Sequence, residues 1–72
     1  MYKEIFASRI KKARLDTGLT QTKISEETGI KQSTIAKYET GTLEPDLEKL
    51  GILADYYNVS VDWLLGTKGK NS

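Results

Sequence analysis

Apolar residues in the first quarter of the chain recur at the spacing of one helical face. Within residues 2–16, Phe6, Ile10 and Ala13 occupy positions i, i+4 and i+7, and mostly polar residues stand between them. Residues at this spacing lie on the same side of an α-helix. Gly18 follows the pattern and is a typical stop signal. The pattern predicts a first helix that begins near residue 2 and ends near residue 16.

Two short segments, residues 21–28 and 32–40, come next. Thr20 precedes the first of them as a predicted N-cap, because its hydroxyl can accept a backbone N–H that has no partner in the first turn. Gly29 and Gly41 follow the two segments, and glycine is favoured where a helix ends in left-handed geometry. The side chains predicted to face inward are those of Ile24, Ile35 and Tyr38. The pattern therefore predicts two short helices joined by a tight turn.

The second half of the chain contains two further predicted helices. Asp46 is a predicted N-cap, and after it apolar residues recur every three or four positions, at Leu47, Leu50, Leu53, Ala54 and Tyr57. Gly51 inside this helix costs about 1 kcal/mol relative to alanine, which predicts that another element packs closely there. Ser60 is the predicted cap of a last helix that ends at Leu65, before Gly66. Five short helices without an alternating strand pattern predict an all-α fold.

Composition excludes several classes of function. The chain has 72 residues, enough for one small domain, and it contains neither cysteine nor histidine. Disulfides, thiolate chemistry, the common zinc ligand sets and histidine-based catalysis are therefore excluded. General acid–base chemistry would fall to carboxylates, lysines or tyrosines, and the predicted helices scatter the carboxylates over their surfaces. We expect no enzymatic activity, no metal and no cofactor.

The chain also lacks the sequence signals of membrane insertion and export. No stretch approaches the roughly 18 consecutive apolar residues of a membrane span. The N-terminal segment "MYKEIFASRI" carries charges where a signal peptide has an apolar region. We expect a cytoplasmic protein with no membrane partner.

Charge is distributed unevenly although the net charge is only +1. Residues 1–37 hold eight Lys and Arg against four Asp and Glu, whereas residues 38–72 hold three Lys against six acidic residues. One half of the molecule could therefore face an anionic partner. Small proteins also show such asymmetry by chance, so the charge alone leaves both interpretations open.

The two short central helices match the helix-turn-helix plan. Ser25 is small at the position where the second helix is expected to cross closely over the first. Gly29 stands four residues later, where the turn needs a positive φ. Ile35 follows six residues further on and is expected to lock the second helix against the first. This spacing is moderately specific, because it also occurs by chance in other helical proteins.

Four longer motifs make the pattern much more specific. They are "GLTQ" at 18–21, "TGIKQSTIAKYETG" at 28–41, "EPDLEKL" at 44–50 and "NVSVDWLLG" at 58–66. Together they resemble the Cro and phage-repressor class of helix-turn-helix domains, the XRE family, over about residues 6–66. The resemblance implies a compact five-helix, lambda-repressor-like DNA-binding domain over residues 1–66, with its helix-turn-helix at 20–40 and a polar tail at 67–72. It also implies that the third helix enters the major groove of double-stranded DNA.

The resemblance implies that base-reading side chains open the third helix. On the family pattern these are Gln32, Ser33 and Lys37, and their chemistry agrees with that role. Gln32 can pair with both N6 and N7 of adenine, Ser33 can bond several base edges, and Lys37 can reach a guanine or a phosphate. Thr34 adds a methyl group that could meet thymine. The alternative is that these residues are simply solvated at a helix N-terminus.

Phosphate contacts are expected on either side of these residues. Thr20 and Gln21 begin the second helix, where unpaired N–H groups and the helix dipole favour an anion. Thr20 is also expected to cap that helix. Lys31 stands where the family often has a capping serine or threonine, so the third helix starts loosely or Lys31 instead contacts a phosphate. Thr40 and Thr42 can donate to backbone oxygens from the exit of the third helix.

The resemblance further implies two structural features. Family members commonly pair an arginine near the end of the first helix with a glutamate at the end of the third, and Arg14 and Glu39 occupy those positions. The alternative is two unrelated surface charges. Trp63 and Leu64 are expected to belong to the core. Related domains also often pair through the last helix, which implies a homodimer with an edge at Val61 and Leu64.

These expectations combine into a sequence-specific transcriptional regulator. We expect a repressor of the phage or mobile-element type that binds a near-palindromic operator as a dimer. The alternative is an antitoxin or adaptor whose main role is to bind a protein partner. Its candidate partner surface is the acidic half of the chain, with Glu44, Asp46, Glu48, Asp55 and Asp62.

Overall fold

The computed structural model describes residues 1–69, and within this range the chain forms five α-helices and no strand. The helices are α1 (Tyr2–Thr17), α2 (Gln21–Thr28), α3 (Gln32–Thr40), α4 (Leu47–Tyr57) and α5 (Val61–Leu65). The predicted all-α fold class is confirmed. Residues 70–72, part of the predicted tail, lie outside the described residues.

Side-chain caps begin three of the helices. Thr20, Asp46 and Ser60 each accept a hydrogen bond from the backbone N–H three residues later. Accepting this bond and one from the Lys49 ammonium lowers the pKa of Asp46 below its ordinary value. Lys31 precedes α3 and does not cap it with its side chain. The first turn of α3 therefore keeps N–H groups available to an outside acceptor.

The core lies where all five helices meet. α1 packs against α3 and α5, and α2 packs against α3 and α4. The largest fully buried side chains are Phe6, Ile24, Leu53 and Leu64. Phe6 meets Tyr38 edge-on, with ring centroids 5.9 Å apart and ring planes at 76°. In the described part of the chain, no buried side-chain nitrogen or oxygen atom lacks a hydrogen-bond partner.

The position of α5 corrects one prediction. Leu64 is 0% exposed and lies in the core, so its side chain cannot form a dimer edge. The reason is that α5 has only five residues and turns this side chain inward where it packs on α1. The guanidinium of Arg9 also holds α5, because it donates to the carbonyl of Trp63 and lies 5.1 Å from that ring's centroid. Val61, the other predicted edge residue, is 38% exposed.

The surroundings of Gly51 show that a second prediction was wrong. We expected another element to pack closely against this mid-helix glycine. Among residues 1–69, however, no neighbouring atom comes within 4 Å of the position that a Cβ would occupy at Gly51. The residue is exposed on α4 and has a helical backbone, so nothing within the described chain compensates for its low helix propensity.

Candidate nucleic-acid interface

The first turn of α3 points away from the core. Gln32 and Ser33 are exposed, and Thr34 is half-buried. Ile35 and Tyr38, which are buried, anchor the opposite side of the same helix. Lys37 is exposed one turn after Ser33, so these two side chains share a face. The predicted base-contact residues thus form a polar surface on a helix whose other side is fixed.

Hydrogen bonds hold the turn between α2 and α3. The Ser25 hydroxyl donates to the carbonyl of Ile30 at 2.6 Å. The Thr28 hydroxyl donates to the Ile24 carbonyl at 2.7 Å and accepts the Ile30 N–H at 3.2 Å. Gly29 adopts φ 77°, a left-handed conformation that glycine reaches without steric cost. The N–H and the carbonyl of Ile30 are therefore both tied to α2, which fixes the direction in which α3 leaves the turn.

Arg14 and Glu39 form a bidentate ion pair between α1 and α3. The Nε of Arg14 lies 2.7 Å from one carboxylate oxygen of Glu39, and its NH2 group lies 2.9 Å from the other. The remaining NH1 group donates to the Leu19 carbonyl at 3.1 Å. The side chains are only 14% and 4% exposed. The hydrogen bonds to Glu39 raise the pKa of the Arg14 guanidinium, so the guanidinium stays charged.

Tyr57 of α4 also lies in the electrostatic environment of this ion pair. Burial, followed by the nearby Glu39 carboxylate, raises the pKa of the Tyr57 hydroxyl above its ordinary value. The hydroxyl therefore stays neutral at physiological pH. The ion pair thus stands among side chains from α1, α3 and α4.

Gln21 connects this ion pair to the exposed end of α3. Its side-chain Nε2 donates to Glu39 Oε1 at 3.1 Å, and its Oε1 accepts from Gln32 Nε2 at 2.9 Å. The sequence predicts a phosphate contact for Gln21, and neither of these bonds is part of that prediction. The signal available in the sequence was one glutamine at the start of each short helix, but the contact depends on how the two helices cross.

The predicted phosphate-contact residues fall into two groups. The first group, Thr20, Gln21 and Lys31, lies where α2 and α3 begin. There Gln21 contacts Gln32, a predicted base-contact residue, and Thr20 and Lys31 are exposed. The Thr20 hydroxyl accepts the Lys23 N–H at 3.1 Å, so it serves as a helix cap. The other group lies where α3 ends. There the hydroxyls of Thr40 and Thr42 are 2.9 Å apart, and both residues are exposed.

Within residues 1–69, no group of three or more His, Cys, Asp or Glu side chains is arranged to hold a metal ion. No helix in that range is both long and apolar enough to cross a bilayer.

Comparison with known proteins agrees with this geometry. The family model described as "Helix-turn-helix" matches residues 10–64. The uncharacterized HTH-type transcriptional regulator YobD of Bacillus subtilis is 39% identical over 62 residues, which are 86% of this chain and 55% of that protein. The transcriptional regulator ImmR of the same organism is 40% identical over 58 residues, 81% of this chain and 46% of ImmR.

A relative from a phage extends the comparison. The cryptic phage CTXphi transcriptional repressor RstR of Vibrio cholerae is 31% identical over 67 residues, 93% of this chain and 60% of RstR. The chain spans about half the length of the curated relatives it matches. The residues that the family model matches include α2, α3, the turn between them and the exposed first turn of α3. The chain therefore belongs to the XRE-type helix-turn-helix family of transcriptional regulators.

Proposed function

We propose that this chain is a sequence-specific DNA-binding regulator of transcription in the cytoplasm, and that it acts as a repressor at a near-palindromic operator. The observation that carries the proposal is the first turn of α3, which is exposed and bears hydrogen-bonding side chains. Hydrogen bonds to α2 fix the segment that joins the two helices. An α-helix fits the major groove of B-DNA, where each base pair presents a distinct pattern of donors and acceptors. The similarity to a named phage repressor supports the assignment as a repressor.

In this proposal the exposed side of α3 reads bases. Gln32 offers a donor and an acceptor, Ser33 offers a hydroxyl, and Lys37 offers a cation one turn later. Thr34 is half-buried and contributes its methyl group to a thymine at the edge of the contact. These side chains differ in what they can bond, so together they can distinguish a short sequence.

Phosphate contacts orient the domain on the duplex. Thr20 and Gln21 offer the N-terminus of α2, and Lys31 adds an exposed cation beside it. Thr40 and Thr42 offer hydroxyls at the other end of α3. Each Lys or Arg that neutralises a phosphate increases the affinity for DNA and the dependence of that affinity on salt. Most of the groups named here are neutral, so they contribute little of this electrostatic attraction. We therefore expect weak binding by a single domain, which favours a dimer.

The exposed face of α4 offers a surface for a second copy of the chain. Leu47 is 87% exposed, and Gly51 follows it one turn later with open space above it. Ile52 of α4 and Val61 of α5 are further exposed apolar side chains, at 37% and 38%. A two-fold axis brings the same surface of two copies together, as a near-palindromic site requires. The absence of a side chain at Gly51 lets the two helices approach each other closely.

Gly51→Ala tests this dimer surface. The added methyl meets nothing within the described chain, so the free energy of unfolding of the monomer is expected to rise by about 1 kcal/mol. Between two copies the same methyl occupies space that close approach requires, so the dissociation constant of the dimer should rise and the variant should need a higher protein concentration to dimerise than the wild type. Thermal unfolding at micromolar concentration and sedimentation equilibrium measure the two effects. A more stable variant with unchanged self-association would exclude this face as the dimer surface.

Selection of duplexes from a random library tests the proposed function. The wild-type protein is expected to enrich a near-palindromic sequence whose half-sites are about 34 Å apart. The Gln32→Ala and Ser33→Ala variants should each lose about tenfold or more of the preference at the base pair that the side chain contacts. Ser8→Ala, at an exposed serine of α1, is the matched control and should keep the wild-type preferences. Equal binding of all duplexes, weakened only by salt, would contradict the proposal.

A further inference from the structure

A small pocket lies where the start of α1 meets the segment between α3 and α4. Its volume is about 100 Å³, and its walls include the buried ring of Phe6 and the half-buried side chains of Leu50 and Leu65. None of the residues predicted to contact DNA lines this pocket. The domain therefore has an apolar pocket that the proposed function does not use.

The size of the pocket decides which apolar groups it can hold. Sites for drug-sized ligands enclose about 300–1,000 Å³, and an apolar cavity of about 150 Å³ accommodates benzene. At about 100 Å³ the pocket is smaller than either, so it suits a branched aliphatic group of about four carbon atoms. Moving such a group out of water is favourable in proportion to the apolar area that becomes buried.

Two side chains of opposite charge also line the pocket. Lys3 of α1 is half-buried, and Glu44, which precedes α4, is exposed. They do not pair with each other, and neither side chain forms an ion pair or a hydrogen bond with any residue that the structure describes. An ammonium group can donate to an incoming carboxylate, and a carboxylate can accept from an incoming ammonium. The pocket thus complements a molecule that carries both charges beside a small apolar group.

We propose that this pocket binds a free α-amino acid with a branched aliphatic side chain, of the size of leucine or valine. The aliphatic side chain of the ligand packs against Phe6, Leu50 and Leu65. The carboxylate of the ligand meets the Lys3 ammonium, and its ammonium meets the Glu44 carboxylate. Both ligand charges are attached to one carbon atom, so the ligand bridges two protein side chains that do not reach each other.

The site adjoins the proposed DNA surface along the chain. Glu44 stands two residues after Thr42, whose N–H donates to the Lys37 carbonyl of α3 at 2.9 Å. A bound amino acid would therefore contact the segment by which the chain leaves α3. The proposal does not rest on DNA binding, because the pocket and its charges belong to the free protein.

Titration of the nitrogen-15-labelled chain with L-leucine, followed by NMR, tests the proposal. The amide signals of Lys3, Glu44 and Leu50 are expected to shift together, with a dissociation constant of about 1 mM. Two analogues each lack one charge: 4-methylpentanoate has no ammonium, and 3-methylbutylamine has no carboxylate. Each should bind about threefold or more weakly than leucine, because a partly exposed ion pair is lost. Glycine, which lacks the apolar group, should bind about tenfold or more weakly.

Variants at the two charges test the assignment of each ligand group. Lys3→Met should bind leucine about threefold more weakly and should no longer distinguish leucine from 3-methylbutylamine. Glu44→Gln should likewise stop distinguishing leucine from 4-methylpentanoate. A general disturbance of folding would not produce these two separate losses. Lys11→Met and Glu48→Gln, at exposed residues that do not line the pocket, are the matched controls and should bind leucine as the wild type does.

Three results would overturn the proposal. The first is that the signals do not shift at a leucine concentration about ten times the expected dissociation constant. The second is that glycine or both single-charge analogues bind as tightly as leucine. The third is that the same signals move with protein concentration instead, since a second copy of the chain would then occupy the pocket. Each of these results would leave the DNA-binding proposal unchanged.

Discussion

Replacement of Glu39 by alanine is expected to lower the free energy of unfolding by about 3–5 kcal/mol. The reason is that the Arg14 guanidinium, 14% exposed, would lose both bonds to the carboxylate and stay charged without a partner. A domain of 72 residues has a total stability of about 4–11 kcal/mol, so the loss would leave much of the variant unfolded near body temperature. Urea denaturation followed by circular dichroism measures the effect.

An exposed ion pair provides the control for this prediction. Lys12 and Asp16 on α1 are 3.2 Å apart, but their side chains are 63% and 65% exposed. Water screens such a pair, so Asp16→Ala should cost less than about 1 kcal/mol. The double variant Arg14→Met with Glu39→Leu should be more stable than Glu39→Ala alone, because it leaves no buried charge behind. A loss below about 1 kcal/mol in Glu39→Ala would contradict a structural role for the ion pair.

Phe6→Ala is expected to destabilise the domain by a similar amount, about 3–5 kcal/mol. Phe6 is 1% exposed and meets Tyr38 edge-on, so the variant loses the burial of a large ring and its contact with α3. Phe6 also lines a pocket of about 100 Å³ between α1 and Leu50 and Leu65 of the last two helices. We expect removal of the ring to enlarge this pocket, and a cavity that stays open adds to the cost of the lost burial. The midpoint of urea denaturation is the measurement.

Leu47→Ala is the matched control for the loss of Phe6. Leu47 is 87% exposed, so its truncation should change the free energy of unfolding of the monomer by no more than about 0.5 kcal/mol. Both variants should be measured at the same low protein concentration, because Leu47 lies on the proposed dimer surface. If Phe6→Ala were as stable as Leu47→Ala, the packing of α1 on the remaining core would be weaker than its burial indicates.

The helix boundaries could be predicted from the sequence because the residues that mark them act locally. Thr20, Asp46 and Ser60 cap the helices that follow them, and a cap acts over only three residues. The predicted bounds of α2 and α3 coincide with the observed ones, and α1 ends at Thr17, one residue beyond the predicted end. Glycines at the helix ends and the spacing of apolar residues were thus enough to predict the all-α fold class.

The features that sequence analysis missed depend on how helices cross. The sequence favours Leu64 both as a core residue and as a dimer edge, and only the packing of α5 on α1 decides for the core. The mid-helix Gly51 suggested a close neighbour, yet the described chain leaves that side open. Gln21 and Gln32 are 11 positions apart, and their contact exists only because α2 and α3 bring their first turns together. Such contacts are set by tertiary packing rather than by any local pattern.

The turn that Ser25 and Thr28 secure also affects the thermodynamics of association. Because its hydrogen bonds already exist in the free protein, a duplex that docks on α3 does not have to order this segment. The turn loses its conformational entropy when the protein folds, so this loss does not reduce the free energy of binding to DNA. The heat capacity change of complex formation should then reflect surface removed from water, without the larger contribution that accompanies coupled folding of a protein segment.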